Sequence, residues 1–329
     1  MSDFEEALCW YRLFLAKGLG PKRLHQIHKL IAEAGTTAEQ LCSMGFEGFQ
    51  SLLPRLGRPV FDAIHDPETD IEQEFQTLLE NEVQSIHLGH ESYPKSLLEN
   101  LGDAAPPVLF CRGSLNLLKT GGVAIVGSRH ASEKALGLAC ALAQEFALSG
   151  KNVISGYAKG IDRQSHLGAL RRGGTTTIVL SAGILSFSKK KEFEGLRWEG
   201  NVLALSQFHP SDRWRARNAM IRNRLVCALS RALVVVESGP EIDERGKTSG
   251  TFNAGRAGIK MGIPVFAVDP AALEKQNTGN RELIRLGAIR LEVGNGPAEA
   301  VSHVLKTIEK QKHSPASPSG ETEQMPLFS

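Results

Sequence analysis

Between Val123 and Asp269 the chain sets down six short apolar runs, and nearly every one passes into a loop of glycine, hydroxyl and basic residues just before a helix-like stretch. The runs are Val123-Ala-Ile-Val126, Asn152-Val-Ile154, Thr177-Ile-Val-Leu180, Val202-Leu-Ala-Leu205, Leu233-Val-Val-Val236 and Pro264-Val-Phe-Ala-Val268. Alternation of such strands with helical patterns constrains the chain to an α/β fold, a mostly parallel sheet covered by helices on both faces. Loops that leave the carboxyl ends of these strands converge on one crevice. Three of them, Gly127-Ser-Arg129, Ser155-Gly-Tyr-Ala-Lys-Gly-Ile-Asp162 and Lys247-Thr-Ser-Gly-Thr251, carry phosphate-binding residue types, so the expected ligand is anionic.

A glycine directly after a buried strand lets the backbone approach a phosphate, and the amides that follow line up with the dipole of the next helix. Gly127, Ser128 and Arg129 add a hydroxyl donor and a forked cation to that close approach. Gly127-Ser-Arg-His-Ala-Ser132 lacks the second and third glycines of the dinucleotide fingerprint, which disfavours a nicotinamide cofactor but keeps the phosphate reading. Ser155, Gly156, Lys159 and Gly160 repeat the pattern one strand later. Gly239 to Thr248 ends in Gly-Lys-Thr, yet six residues separate its glycines where a Walker loop has four, and three of the six are acidic. Triphosphate hydrolysis is therefore not expected, and what remains is Lys247, Thr248, Ser249, Gly250 and Thr251 opening a helix.

Arg213 to Arg224 places five arginines within twelve residues, with Trp214 among them. Arginine can hold backbone phosphate while an aromatic ring stacks on a base, a pairing suited to a single strand. Helical spacing predicts that Arg217, Ile221 and Arg224 share an edge facing the crevice while Leu225 and Leu229 pack inward, with Arg222, Asn223 and Arg224 extending the track. An arginine-rich helix making surface ion pairs is the alternative. Asp162 and His166 lie four residues apart and could mimic an acid–base pair. The expectation is instead that Asp162 caps a helix beginning at Arg163 and that His166 makes a structural or phosphate contact, leaving no catalytic residue.

The net charge of +2 hides a division: residues 121–260 hold 21 Lys and Arg against 11 Asp and Glu, so the rest of the chain is acidic. A basic excess on the segment that carries the glycine loops points to a polyanion. The five cysteines lie far apart in sequence without metal-ligand spacing, so they are expected as reduced thiols, with no disulfide, metal or other cofactor. The acidic amino terminus does not read as a signal peptide and no apolar run approaches bilayer length, which places the protein in the cytoplasm with no membrane partner.

Residues 1–68 read as a small helical domain, with apolar spacing through Phe4, Leu8, Tyr11 and Leu15, a break at Gly18-Leu-Gly-Pro21, and a second helix through Leu24, Ile27, Leu30 and Ile31. The break fits either a helix-hairpin-helix or a plain hairpin with a glycine turn. Residues 69–310 read as the sheet domain, with a helix over Glu72 to Leu79, strands near Val83 to Leu88 and Val108 to Cys111, and a late strand at Ile289 to Glu292 before a helix from Pro297. Residues 311–329 are polar and rich in Pro and Ser, the composition of a disordered tether.

These motifs, taken in order, resemble the DNA-processing protein A (DprA/Smf) family. The residues that carry the resemblance are Gly127-Ser-Arg129, Ser155-Gly-x-Ala-x-Gly-Ile-Asp162 with His166 and Ala169-Leu170, Gly173-Gly-Thr175, Arg222-Asn-Arg224 with Leu229-Ser230, Val235-Val-Glu237, Ser249-Gly-Thr251, Phe266-Ala-Val268, and Gly279-Asn280 with Leu283-Ile284 and Gly287-Ala288. The resemblance spans roughly residues 90–290. It implies an extended Rossmann-like domain that binds single-stranded DNA, commonly as a homodimer, and helps load the RecA recombinase during natural transformation. Two stretches depart from it: Asp269-Pro270 replaces the usual Pro-Gly, and Phe187-Ser-Lys-Lys-Lys191 replaces a proline-rich turn at the rim of the groove. No stretch resembles the winged-helix domain found in many members. Rossmann-like enzymes and sensors that act on nucleotides form the alternative class; they want a carboxylate beside the phosphate loop, with Glu237 and Asp162 as candidates. Finally, Gln324, Leu327 and Phe328 resemble the Gln-x-x-Leu-Phe peptide that docks on the bacterial sliding clamp, apolar anchors on a polar tether.

Overall fold

A computed structural model describes residues 2–65, 70–273 and 278–312. Five helices open the chain: α1 (Ser2–Leu15), α2 (Pro21–Glu33), α3 (Ala38–Ser43), α4 (Phe46–Leu52) and α5 (Gly57–Ile64). Pro21 at the first position starts α2, and Thr37 with Gln40 closes a capping box on α3. The break between α1 and α2 holds Gly18 at φ +88°, a conformation that other side chains resist, and Arg23 donates to the Gly18 carbonyl at 2.8 Å.

The rest alternates. Helix α6 (Ile71–Glu80) leads to strand β1 (Gln84–His87), then α7 (Lys95–Leu101), β2 (Val108–Gly113), α8 (Asn116–Thr120), β3 (Gly122–Val126), α9 (Glu133–Leu148) and β4 (Asn152–Ser155). The chain continues through α10 (Ile161–Arg171), β5 (Thr176–Val179), β6 (Val202–Ser206), α11 (Ala216–Ala228), β7 (Ser230–Val235), α12 (Gly250–Lys260), β8 (Val265–Val268), α13 (Thr278–Arg285), β9 (Ile289–Leu291) and α14 (Pro297–Lys312). Every strand expected from the apolar runs is present, with ends shifted by one to three residues, as the mixed α/β, mostly parallel architecture requires.

The nine strands form one sheet in the order β1-β2-β6-β5-β4-β3-β7-β8-β9. From β6 to β9 the pairing is parallel, while β1 and β2 extend one edge antiparallel. Alternate residues of a strand point to opposite faces, and both faces are dry. Val123 and Ile125 of β3 enter one apolar cluster with α9 and α14, whereas Ala124 and Val126 enter the other with residues of α11 and α12. That second cluster runs without a break into the N-terminal helices, so α1 shares its core with the sheet edge.

The seam between them is aromatic and rich in histidine. Tyr11 meets Phe110 edge-on at 5.8 Å, and Trp10 stacks on His87 at 5.3 Å with rings 7° from parallel. His28 tilts against Trp10 at 5.8 Å, and the Trp10 indole N–H donates to Glu6 at 3.0 Å. Burial, with His90 and His28 nearby, pushes the His87 imidazole down to about 3, so the ring is neutral at physiological pH.

Candidate nucleic-acid interface

Strand β3 lies between β4 and β7; the chain leaving β3 crosses to β4 on one side and the chain leaving β7 crosses to β8 on the other, so the loops after β3 and β7 part at the sheet's topological switch point. A crevice of about 630 Å³ opens there. Its walls come from Gly127, Ser128 and Arg129 after β3, from Ala158 and Asp162 after β4, from Trp214 and Arg217 leading into and along α11, and from Lys247, Thr248, Ser249, Gly250 and Thr251 before α12.

Close backbone packing builds the floor. A Cβ on Gly127 would run into Ile161, and Gly160, at φ +89°, lies against the Ser128 carbonyl. The Ser128 amide donates to Glu237 O at 2.8 Å, and its hydroxyl accepts from the His130 amide at 3.1 Å. With Ser128 thus fixed, Arg129 projects outward, its guanidinium 5.6 Å above the ring of Trp214, itself 53% exposed. Across the crevice, Ser249 caps α12 by accepting from the Phe252 amide, and Asn223 Nδ2 donates to Gly250 O at 2.8 Å, tying α11 to that helix start. Lys247 and Thr248 are exposed at the lip.

Arg222 behaves differently from its neighbours. It is 5% exposed, donates to Val179 O at 3.1 Å, and lies 4.0 Å from the Asp162 carboxylate. Gly156 makes room for it: a Cβ there would sit inside the guanidinium. Burial raises the Asp162 carboxyl and lowers Arg222, and each charge offsets the other's desolvation. Asp162 accepts from the Ala158 amide at 3.2 Å but does not cap a helix starting at Arg163; α10 starts at Ile161, with Gly160 at the N-cap. The expected edge of Arg217, Ile221 and Arg224 is also rotated. Arg217, Met220 and Asn223 line the crevice, while Ile221 and Arg224 are exposed outside its lining, because burying Arg222 beside Gly156 sets the helix phase. Ser155 is buried and donates to Ile125 O at 2.6 Å, tying β4 to β3. Lys159 is exposed one residue beyond the wall at Ala158.

The carboxylates and His166 are committed to the fold. Glu237 is buried and accepts from the Ser132 hydroxyl at 2.8 Å and the Ser132 amide at 3.2 Å, while Ser132 caps α9. Asp243, which the sequence reading passed over, lines the crevice, and its Oδ1 accepts from the amides of Arg245 at 3.0 Å and Lys247 at 2.8 Å. The loop that resembled a Walker motif is thus folded around its own carboxylate. An Asp with Gly three residues later is a turn signature that could have revealed it. Thr176 gives its one hydroxyl proton to Val153 O at 2.6 Å, so His166 Nδ1, 2.6 Å from Thr176 Oγ1, is the donor to that hydroxyl oxygen. Burial and Arg222 push His166 down to about 3, which leaves a neutral structural histidine. Asn280 spans β7, β8 and α13, donating to Val236 O and Val268 O and accepting from the Ser238 amide.

Among the described residues, no group of His, Cys, Asp and Glu is placed to hold a metal, and no helix is long and apolar enough to cross a membrane. Gln324, Leu327 and Phe328 lie outside the described residues.

A family model, DNA recombination-mediator protein A, matches residues 84–301. DNA processing protein DprA of Streptococcus pneumoniae is 32% identical over 209 residues, covering 62% of this chain and 69% of that protein. Protein Smf of Synechocystis is 29% identical over 301 residues, covering 88% of this chain and 70% of its own length. The X-ray structure of the Streptococcus pneumoniae protein superposes with a TM-score of 0.69 at 25% identity, covering 89% of this chain and 95% of that one. DNA processing protein A of Helicobacter pylori, known for its mode of binding single-stranded DNA, shares the fold with a TM-score of 0.55 at 24% identity, covering 68% and 96%.

Proposed function

This chain belongs to the DNA recombination-mediator protein A family, and from that premise we propose that it binds single-stranded DNA in the switch-point crevice without acting on it chemically. The observation that carries the reading is the set of cations, hydroxyls and one exposed ring around a single opening: Arg129, Arg217 and Lys247 with Ser128, Thr248, Thr251 and Trp214. Guanidinium and hydroxyl groups take backbone phosphates, and a ring stacks on any base, so the site suits a strand without sequence preference. The Helicobacter relative's binding of single-stranded DNA supports the same assignment. An enzyme cleaving nucleotides would need an uncommitted carboxylate by the phosphate loop. Glu237 serves Ser132, Asp162 faces Arg222, and Asp243 holds its own loop.

Neutralising phosphates releases counterions, at a slope of about 0.7 in log K against log salt for each phosphate on a single strand. Affinity for a labelled oligonucleotide measured across a salt series should therefore fall steeply, while incubation with free nucleotides should release no base. A flat salt response would overturn the binding reading, and base release would favour the enzyme.

Further parts of the proposal rest on the resemblance and the sequence. The protein acts in the cytoplasm, helps load RecA on incoming or damaged DNA, and works as a homodimer that lengthens the track and adds avidity. Gln324, Leu327 and Phe328 dock on the sliding clamp, holding the protein at replicating DNA.

A further inference from the structure

The loop after β5 carries Lys189, Lys190 and Lys191 in a row, all exposed. Two 3-10 turns, Ile184–Ser186 and Lys191–Phe193, shape it, and aromatic contacts make it firm. Phe187 stacks on Trp198 at 6.2 Å, Phe193 meets Trp198 edge-on at 5.6 Å, and Lys189 Nζ lies 5.1 Å above the Trp198 ring. Tyr157 joins from the loop after β4, its ring 5.4 Å from Phe187 and 5.6 Å from Phe193. The Tyr157 hydroxyl accepts from the Lys190 amide at 3.0 Å and donates to Ser188 O at 3.3 Å.

Tyr157 holds φ at +65°, a costly conformation for a side chain of its size, which persists only where the surroundings over-determine it. Here they do, because the next residue, Ala158, forms the crevice wall while Tyr157 itself anchors the lysine loop. Arg163 and Glu192 pair at 2.9 Å and cancel. That leaves Lys159, Lys189, Lys190, Lys191 and Arg197 exposed against two exposed carboxylates, Glu194 and Glu199.

We propose that this lysine ledge is an accessory nucleic-acid site. A single strand leaving the crevice past Ala158 and Lys159 lays its next phosphates along Lys189, Lys190 and Lys191. The proposal rests on the single-strand reading of the crevice and adds to it a direction and a longer footprint. The ledge reads backbone only, since Phe187 and Phe193 pack on Tyr157 and Lys189 covers Trp198. Holding the lysines on a packed aromatic base lowers the ordering cost of each contact.

The test uses the full chain, a K189Q/K190Q/K191Q variant, and labelled oligonucleotides of about six and about 20 nucleotides, spanning the site sizes single-strand binders use. The variant should bind the short oligonucleotide as the unaltered protein does, and the long one about tenfold more weakly, with its salt slope reduced by about two. Unchanged affinity for both lengths would overturn the ledge and leave the crevice standing. Equal weakening at both lengths would place the lysines in the crevice and overturn a separate site. Failure of the unaltered protein to bind either length would instead remove the single-strand reading, and the ledge with it.

Discussion

The crevice and the seam beneath α1 both gather basic side chains around a tryptophan, yet their physics is opposite. At the crevice Trp214 is half exposed under Arg129, whose charge is permanent and free to face an anion. At the seam Trp10 is 1% exposed, stacked on His87 and hydrogen-bonded to Glu6, and desolvation strips His87 of its charge. The same residue types can thus serve a ligand or the fold. Solvent access and the ability to lose a proton decide which.

Arg222 presses this comparison hardest, because it lines the crevice yet is buried like the seam. Truncating one partner of a buried ion pair leaves the other charge uncompensated, so Arg222→Ala should cost about 3–5 kcal/mol of stability in a denaturant titration. Replacing Asp162 by Asn in the same chain should restore part of that loss. A surface-like cost below about 0.5 kcal/mol would mean that Arg222 belongs with the crevice cations.

At the seam, Trp10→Phe keeps most of the packing and removes the indole donor to Glu6, so about 1.5–3 kcal/mol should be lost, with oligonucleotide affinity of the folded protein unchanged. Weaker binding by this variant would couple the two regions that the comparison separates.

A third effect is graded with pH. His87 and His166 sit near 3 in the fold and near 6.5 when unfolded, so the unfolded chain binds more protons across that interval. Their contribution is fully present above pH 6.5 and drains away as pH falls toward 3, by at most about 1.4 kcal/mol per pH unit for each histidine. His87→Asn should flatten the slope by one histidine's share. An unchanged slope would contradict the neutral seam.

Much of the fold was legible because a strand buried on both faces is largely apolar, and β3, β6 and β8 carry little else. The glycine loops were legible too, since close approach leaves no alternative residue at Gly127 or Gly156. The side of α11 that faces the crevice was not. Helical spacing offers several edges, and the choice fell to a single buried guanidinium fitting against a glycine in another loop, a tertiary fact. Likewise, the role of Asp243 depends on which amides its loop turns inward, and the joining of Trp10 to His87 spans 77 residues, from α1 to β1.

The central claim is that permanent cations at the switch point hold phosphates. Arg129→Ala with Lys247→Ala removes two of them and leaves both members of the buried pair in place, and its binding to a labelled single strand should be read across a salt series beside the unaltered protein. Each lost charge-assisted contact is worth about 1.5–3 kcal/mol, so affinity should fall about a hundredfold or more while thermal stability holds. The salt slope should drop by about 1.4. Normal affinity with an unchanged slope in the double variant would contradict the account.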